Sequence, residues 1–167
     1  HVTDAYGIPS AIGQGTHNYA TIQLARYVSA IASKGNVFSL SLIEGETDVA
    51  GEFAPKETVI EEKIELPDSV WHTVQSGMLK FAENNAVLKD MKIDVAGKTG
   101  TAQEAKNRPD HALFIGYAPA EQPQITMAVR IANGYGSSNA TAVGKNILNY
   151  YFGLESQDKI ITGEASQ

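Results

Sequence analysis

The chain has no cysteine in its 167 residues. That excludes a disulfide scaffold, a thiolate zinc site and a cysteine nucleophile, and it leaves the redox compartment open. No apolar run approaches the roughly 18 to 20 residues needed to cross a bilayer. The opening His1–Gly7 has neither the basic start nor the apolar stretch of an export signal. Lys and Arg nowhere cluster densely enough to track phosphates, so nucleic acid is not an expected partner. Carboxylates at calcium-loop spacing are missing, and no metal or cofactor is expected. What is present is the composition of a soluble globular domain, 43% hydrophobic with 15 glycines, enough to bury a real core. The chain lacks an initiator Met and opens in Gly/Pro/Ser-rich composition, so it is expected to be a piece of a longer protein.

The net charge of -6 is local. Between Glu44 and Asp68 there are nine carboxylates against Lys56 and Lys63, and the rest of the chain is nearly neutral. Charge interleaved with Val59, Ile60, Ile64 and Leu66 reads as a solvated strand edge or loop face, and says little about the partner of any site.

Apolar periodicity predicts three helices. The first, Thr21 to Ser33, carries Ile22, Ala25, Val28, Ile31 and Ala32 and stops at Gly35. The second, Asp68 to about Glu83, carries Val70, Trp71, Val74, Met78, Phe81 and Ala82, with Asp68 or Ser69 as its cap. The third, from about Ser138 to Phe152, buries Ala140, Val143, Ile147, Leu148 and Tyr151. Trp71, Met78 and Phe81 read as core. Strands are expected at Val37–Ile43, Thr58–Leu66, Ile93–Thr101, Ala112–Ala118 and Ile125–Ala132. The last three in succession suggest an antiparallel meander with a helix returning over it, an α+β layer. Residues 1–152 form one unit, and 153–167 a polar tail.

Chemistry concentrates in Gly97-Lys98-Thr99-Gly100-Thr101-Ala102. Strand alternation puts Lys98 and Gly100 on one face and Thr99 and Thr101 on the other, although glycine twist can bring a hydroxyl round. At Gly100 the missing side chain lets a ligand backbone lie against the strand, while the ammonium and hydroxyls offer donors to a carboxylate. Taken alone, the tripeptide is also compatible with a surface strand carrying a solvated lysine. No Gly-x-Ser-x-Gly elbow exists, and His17, His72 and His111 have no triad spacing. His72 is expected to be partly exposed and His111 to make loop or edge hydrogen bonds. Gly134-Tyr135-Gly136 reads as a turn rather than a phosphate loop.

The surrounding residues decide between these readings. Val95-Ala-Gly-Lys-Thr-Gly-Thr-Ala-Gln103, then His111-Ala-Leu-Phe-Ile-Gly-Tyr-Ala-Pro119 and Ile125-Thr-Met-Ala-Val129, closely resemble the end of the transpeptidase domain of penicillin-binding proteins. Upstream, Ile12-Gly-Gln-Gly15, Ile22-Gln-Leu-Ala25 and Ala30-Ile-Ala-Ser-Lys-Gly35 resemble the Gly-Gln-Gly loop and following helix, especially of the monofunctional class B members. Ala20-Thr21 departs from the Thr-Pro often found there. The resemblance covers roughly Gly13 to Tyr151 and implies the C-terminal portion of a serine transpeptidase/β-lactamase-like fold.

Of the family's three motifs, only Lys-Thr-Gly is properly placed. Ser156-Gln-Asp-Lys159 and Ser137-Ser-Asn139 match the other two but come too late in the chain and read as coincidences, the second as ordinary helix caps. The nucleophilic serine is therefore expected in an upstream segment outside this chain. The resemblance implies a parent that cross-links peptidoglycan stem peptides ending in D-Ala-D-Ala and is acylated by β-lactams. It would work on the extracytoplasmic face of the bacterial membrane, anchored by a segment not in this chain. Lys98, Thr99, Gly100, Thr101 and Gln103 would bind substrate, and the Thr101 amide would supply one oxyanion-hole donor. A bifunctional class A parent, a β-lactam sensor or a catalytically silent binding domain are the alternatives.

Overall fold

The computed structural model describes residues 19–103, 107–156, 158 and 160. Helix α1, Thr21–Ala32, begins where Gln23 Oε1 accepts from the Ala20 amide at 2.8 Å. It ends where Lys34 and Gly35 turn left-handed, at φ 54 and 101, and the Gly35 amide returns to Ala30 O at 2.7 Å. A Cβ at Gly35 would lie 2.1 Å from Ile64 O, so this stop is closed to other residues on two counts.

The first two expected strands are shorter than their alternation suggests. β1, Asn36–Phe38, pairs antiparallel with β4, Ile60–Lys63. Between them β2, Gly45–Thr47, and β3, Phe53–Pro55, form a separate hairpin that periodicity did not reveal. Leu40, Leu42 and Ile43 are exposed, with no layer among the described residues to pack against, so alternation there makes no strand. Ser41 instead closes a local turn with the amide and carbonyl of Ile43. Asp48 Oδ1 accepts from the Ala50 and Glu52 amides at 2.8 and 2.9 Å, beside the left-handed Gly51, which makes the hairpin turn. As expected, the acidic segment is exposed. Arg26 ties it to the body through an ion pair with Glu61 and a bond from Nε to Phe38 O at 2.9 Å.

Helix α2 spans Asp68–Asn84. Its N-cap is Pro67 with no side-chain cap bond, so neither Asp68 nor Ser69 caps it. Asp68 lies inside the first turn, where its charge faces the free amides. Gln75 on α2 donates to Ile31 O and Ala32 O at 2.9 and 3.4 Å, satisfying the last carbonyls of α1.

The expected meander is present. β5, Ala96–Ala102, β6, His111–Ala118, and β7, Ile125–Ile131, form one antiparallel sheet in the order β5-β6-β7. Its register runs unbroken from Ala96↔Tyr117 to Ala102↔His111. Helix α3, Ser137–Tyr151, packs on the face of Ala112, Phe114, Ala118 and Met127 with Ala140 and Leu148. On the other face, Val28, Ile31 and Ala32 of α1 and Met78 of α2 enclose Ala96 and Tyr117. Trp71 and Met78 are core as expected and Phe81 is half-buried, but Ile22, Val70, Val74, Val143, Ile147 and Tyr151 stay exposed. Thr141, Gly144 and Asn149 take the buried places on α3 instead.

The reason is the Phe114 ring. A Cβ at Gly97 would stand 2.6 Å from it, one at Gly116 2.8 Å, and one at Gly144 2.6 Å. Two strands and a helix therefore give up side chains around one aromatic ring. Gly100 differs: a Cβ there would meet Leu113 at an ordinary 3.6 Å. In the full-length protein, Gly97→Ala, Gly116→Ala and Gly144→Ala should each cost about 1 to 3 kcal/mol by overpacking. Gly100→Ala should stay within about 0.5 kcal/mol. Denaturant unfolding of the four variants checks this, and equal losses at all four positions would refute the distinction.

Candidate functional site

The unbroken β5 register determines what the Lys-Thr-Gly strand can present. Lys98 pairs with Ile115, Gly100 with Leu113 and Ala102 with His111, so these side chains share the face that holds Tyr117 and α1. Thr99 pairs with Phe114 and Thr101 with Ala112, which sets both hydroxyls on the α3 face. Glycine twist does not bring them round to Lys98. Among the described residues β5 has a neighbour on one side only, so its alternate amides and carbonyls point outward from a sheet edge.

Lys98 and Thr101 are exposed, and Thr99 and Gly100 partly so. Lys98 Nζ donates to Thr99 O at 2.6 Å. It also lies over the Phe81 ring, 5.9 Å from the centroid. Among the described residues the ion pair found is Arg26–Glu61, so Lys98 has no carboxylate partner there. Gln103 is exposed just beyond the strand. The following residues 104–106 lie outside the described set, as do the Gly-Gln-Gly segment at 13–15 and His17.

The competing motifs stay apart from any such arrangement. Ser137, Ser138 and Asn139 form the first turn of α3, whose N-cap is Gly136 without a side-chain cap bond. The cap role expected of Ser and Asn is thus replaced by Asn139 Nδ2 donating to Gly134 O at 2.9 Å. Ser156 is exposed, and Lys159 lies outside the described residues. His111 Nδ1 accepts from the Asn133 amide at 3.0 Å, the edge hydrogen bond expected of it, and His72 is exposed. The Gly134 region is indeed a turn, with Asn133 and Tyr135 both left-handed.

Sequence reasoning missed Tyr117. It is fully buried on the Lys98 face opposite Ala96, and among the described residues its hydroxyl has no partner. Its place immediately before Ala118-Pro119 at the strand end gave no hint of this.

With the geometry in hand, comparison with known proteins identifies the family. Residues 4–149 match the model of the penicillin binding protein transpeptidase domain. The chain belongs to the penicillin-binding protein transpeptidase family. It is 28% identical to the peptidoglycan D,D-transpeptidase MrdA of Haemophilus influenzae, over 86% of this chain and 25% of that protein. To penicillin-binding protein 2A of Bacillus subtilis it is 30% identical, over 89% of this chain and 24% of the relative. The chain therefore spans about a quarter of the length of these relatives. Among solved structures, Pseudomonas aeruginosa PBP2 in complex with WCK 5153 aligns with a TM-score of 0.69 at 30% identity, over 87% of this chain and 32% of that one. The imipenem acyl-enzyme of Mycobacterium tuberculosis penicillin-binding protein A shares the fold, with a TM-score of 0.75 at 21% identity, over 86% of this chain and 33% of that one.

Burial pushes the Tyr117 phenol up to about 12, because the phenolate would lose its hydration. The unfolded chain ionises near pH 10 and the folded one near 12, so between these values the folded state binds more protons and stability falls as pH rises. Tyr117→Phe removes this loss and also a buried, unsatisfied hydroxyl. In the full-length protein the variant should be at least as stable as the parent at pH 7, by up to about 1 kcal/mol, and should lose less of its thermal midpoint between pH 10 and 12. A variant clearly less stable at pH 7 would mean that the hydroxyl has a partner.

Proposed function

We propose that this chain supplies the carboxylate-binding edge of a class B peptidoglycan D,D-transpeptidase. The observation that carries the reading is Gly100, a glycine that the fold does not require, beside an ammonium with no carboxylate partner among the described residues. A side chain omitted from an exposed edge strand leaves room for an extended ligand backbone, and the neighbouring charge favours a ligand with a carboxylate. D-Ala-D-Ala is such a ligand, and so is a penicillin. The names of MrdA and its companions, and the acyl-enzyme complexes of the structural neighbours, point the same way.

In this reading a serine hydroxyl outside the chain attacks the penultimate D-Ala carbonyl of a stem peptide. The carbonyl oxygen of the tetrahedral intermediate is received by the Thr101 amide and by the serine's own amide. The C–N bond then breaks, terminal D-Ala leaves as the amine, and an amine of a neighbouring stem peptide takes the acyl group and restores the hydroxyl. Preorganised donors of this kind contribute about 10² to 10³ in rate. Lys98 holds the substrate carboxylate. Thr99 and Thr101 set their hydroxyls on the opposite face, so either reaches that carboxylate only by leaning around the free edge of β5. Gln103 borders the site. A β-lactam enters as the same carboxylate-bearing acyl donor. Peptidoglycan lies outside the cytoplasmic membrane, so the parent works on that side, anchored by a segment other than this chain. No helix among the described residues is long and apolar enough to cross a membrane.

Replacing Lys98 with Ala in the complete transpeptidase removes a charge-assisted contact of about 1.5 to 3 kcal/mol, so penicillin acylation should slow about ten- to a hundredfold. Stopped-flow acylation measures it, and an unchanged rate in a folded variant defeats the assignment. Gly100→Val should abolish labelling by a fluorescent penicillin while costing no more than about 2 kcal/mol of stability. Normal labelling would mean that no ligand approaches there. By intact-mass spectrometry this chain alone should take up no penicillin, since Ser156 is exposed and has no oriented base among the described residues. An adduct on any of its own serines would return Ser156 to consideration.

A further inference from the structure

We infer that Phe81 is a positioning residue for Lys98, its ring holding the ammonium where a ligand carboxylate is to arrive; this rests on the reading of Lys98 as the carboxylate receiver. The ammonium lies 5.9 Å from the ring centroid, within the roughly 6 Å at which the negative face of a ring attracts a cation. The ring itself is anchored. Phe81 sits in the last turns of α2, half-buried against the cluster that contains Ala82, Leu88 and Val95.

The choice of partner matters chemically. A lysine on an exposed edge strand has a long flexible stem and needs restraint to wait in one place. A carboxylate partner would restrain it but would neutralise the charge and compete with the incoming carboxylate. An aromatic face attracts the charge without cancelling it and uses none of its three N–H donors. One donor goes to Thr99 O, leaving two for a ligand. Phe81 therefore has two tasks, packing against the core and steadying the cation.

The test is a double-mutant cycle in the complete transpeptidase, read as the second-order rate of acylation by benzylpenicillin and by its methyl ester. Phe81→Leu should slow the acid about two- to fivefold and leave the ester unchanged, while Phe81→Tyr, which keeps the ring, should retain the parent rate. In a Lys98→Met background Phe81→Leu should have no further effect. Equal slowing in both backgrounds, or of ester and acid alike, would reduce Phe81 to packing and overturn the inference. If Lys98→Met alone leaves acylation of the acid unchanged, the carboxylate role of Lys98 falls first, and that of Phe81 with it. Should the leucine variant fail to fold, Phe81→Met puts the same question with a side chain of similar bulk.

Discussion

The structure depends on one aromatic ring and the room made for it. Phe114 lies on the α3 face of the sheet, and Gly97, Gly116 and Gly144 each leave out the side chain that would strike it. Interiors are packed to crystal-like density, so the ring, two strands and α3 form one unit that cannot shift by parts. Gly97 immediately precedes Lys98. The packing that brings α3 down onto the sheet thus also determines the height and direction at which β5 delivers Lys98 and Gly100 to the opposite face.

This divides the glycines of the Lys-Thr-Gly strand by physical role. Gly97 faces inward and is required by the core, whereas Gly100 has room for a methyl group and normal backbone. Glycine in a strand costs conformational entropy, so one that the interior does not need points to something outside it. The same alternation separates the charge from the hydroxyls. Lys98 stands on the face of Ile115 and Tyr117, while Thr99 and Thr101 look toward α3. The main-chain amide of Thr101 is free of that side-chain constraint, since an edge strand turns alternate backbone groups outward whichever way its side chains point.

Much of this was legible in the sequence. His111–Ala118 reads as a nearly continuous apolar run because both its faces are largely covered, and with Ile125–Ile131 following after a short Pro-bounded turn the meander followed directly. The Lys-Thr-Gly strand was recognisable by motif and by setting. Other parts were not legible because the controlling partner is remote in sequence. Val143, Ile147 and Tyr151 look like the core of α3, yet small residues, Ala140, Thr141 and Gly144, face the sheet, since Phe114 already fills that space. Val37–Ile43 alternates but has nothing to bury its apolar side, so it fails to continue as a strand. The β2–β3 hairpin was signalled by turn chemistry, Asp48 with Gly51, rather than by periodicity. Neither the buried hydroxyl of Tyr117 nor the approach of Phe81 to Lys98 leaves any trace in local pattern.

The central claim is that the Lys98 face of β5 receives an extended, carboxylate-bearing acyl donor. A crystal structure of the full-length protein acylated by benzylpenicillin tests it most directly, through the position of the ligand carboxylate relative to β5. The account predicts that carboxylate within hydrogen-bonding reach of Lys98 Nζ, about 2.7 to 2.9 Å, with the ligand backbone lying over Gly100 and its carbonyl oxygen at the Thr101 amide. A carboxylate turned away from Lys98, or a ligand whose backbone leaves Gly100 open to solvent, would contradict it.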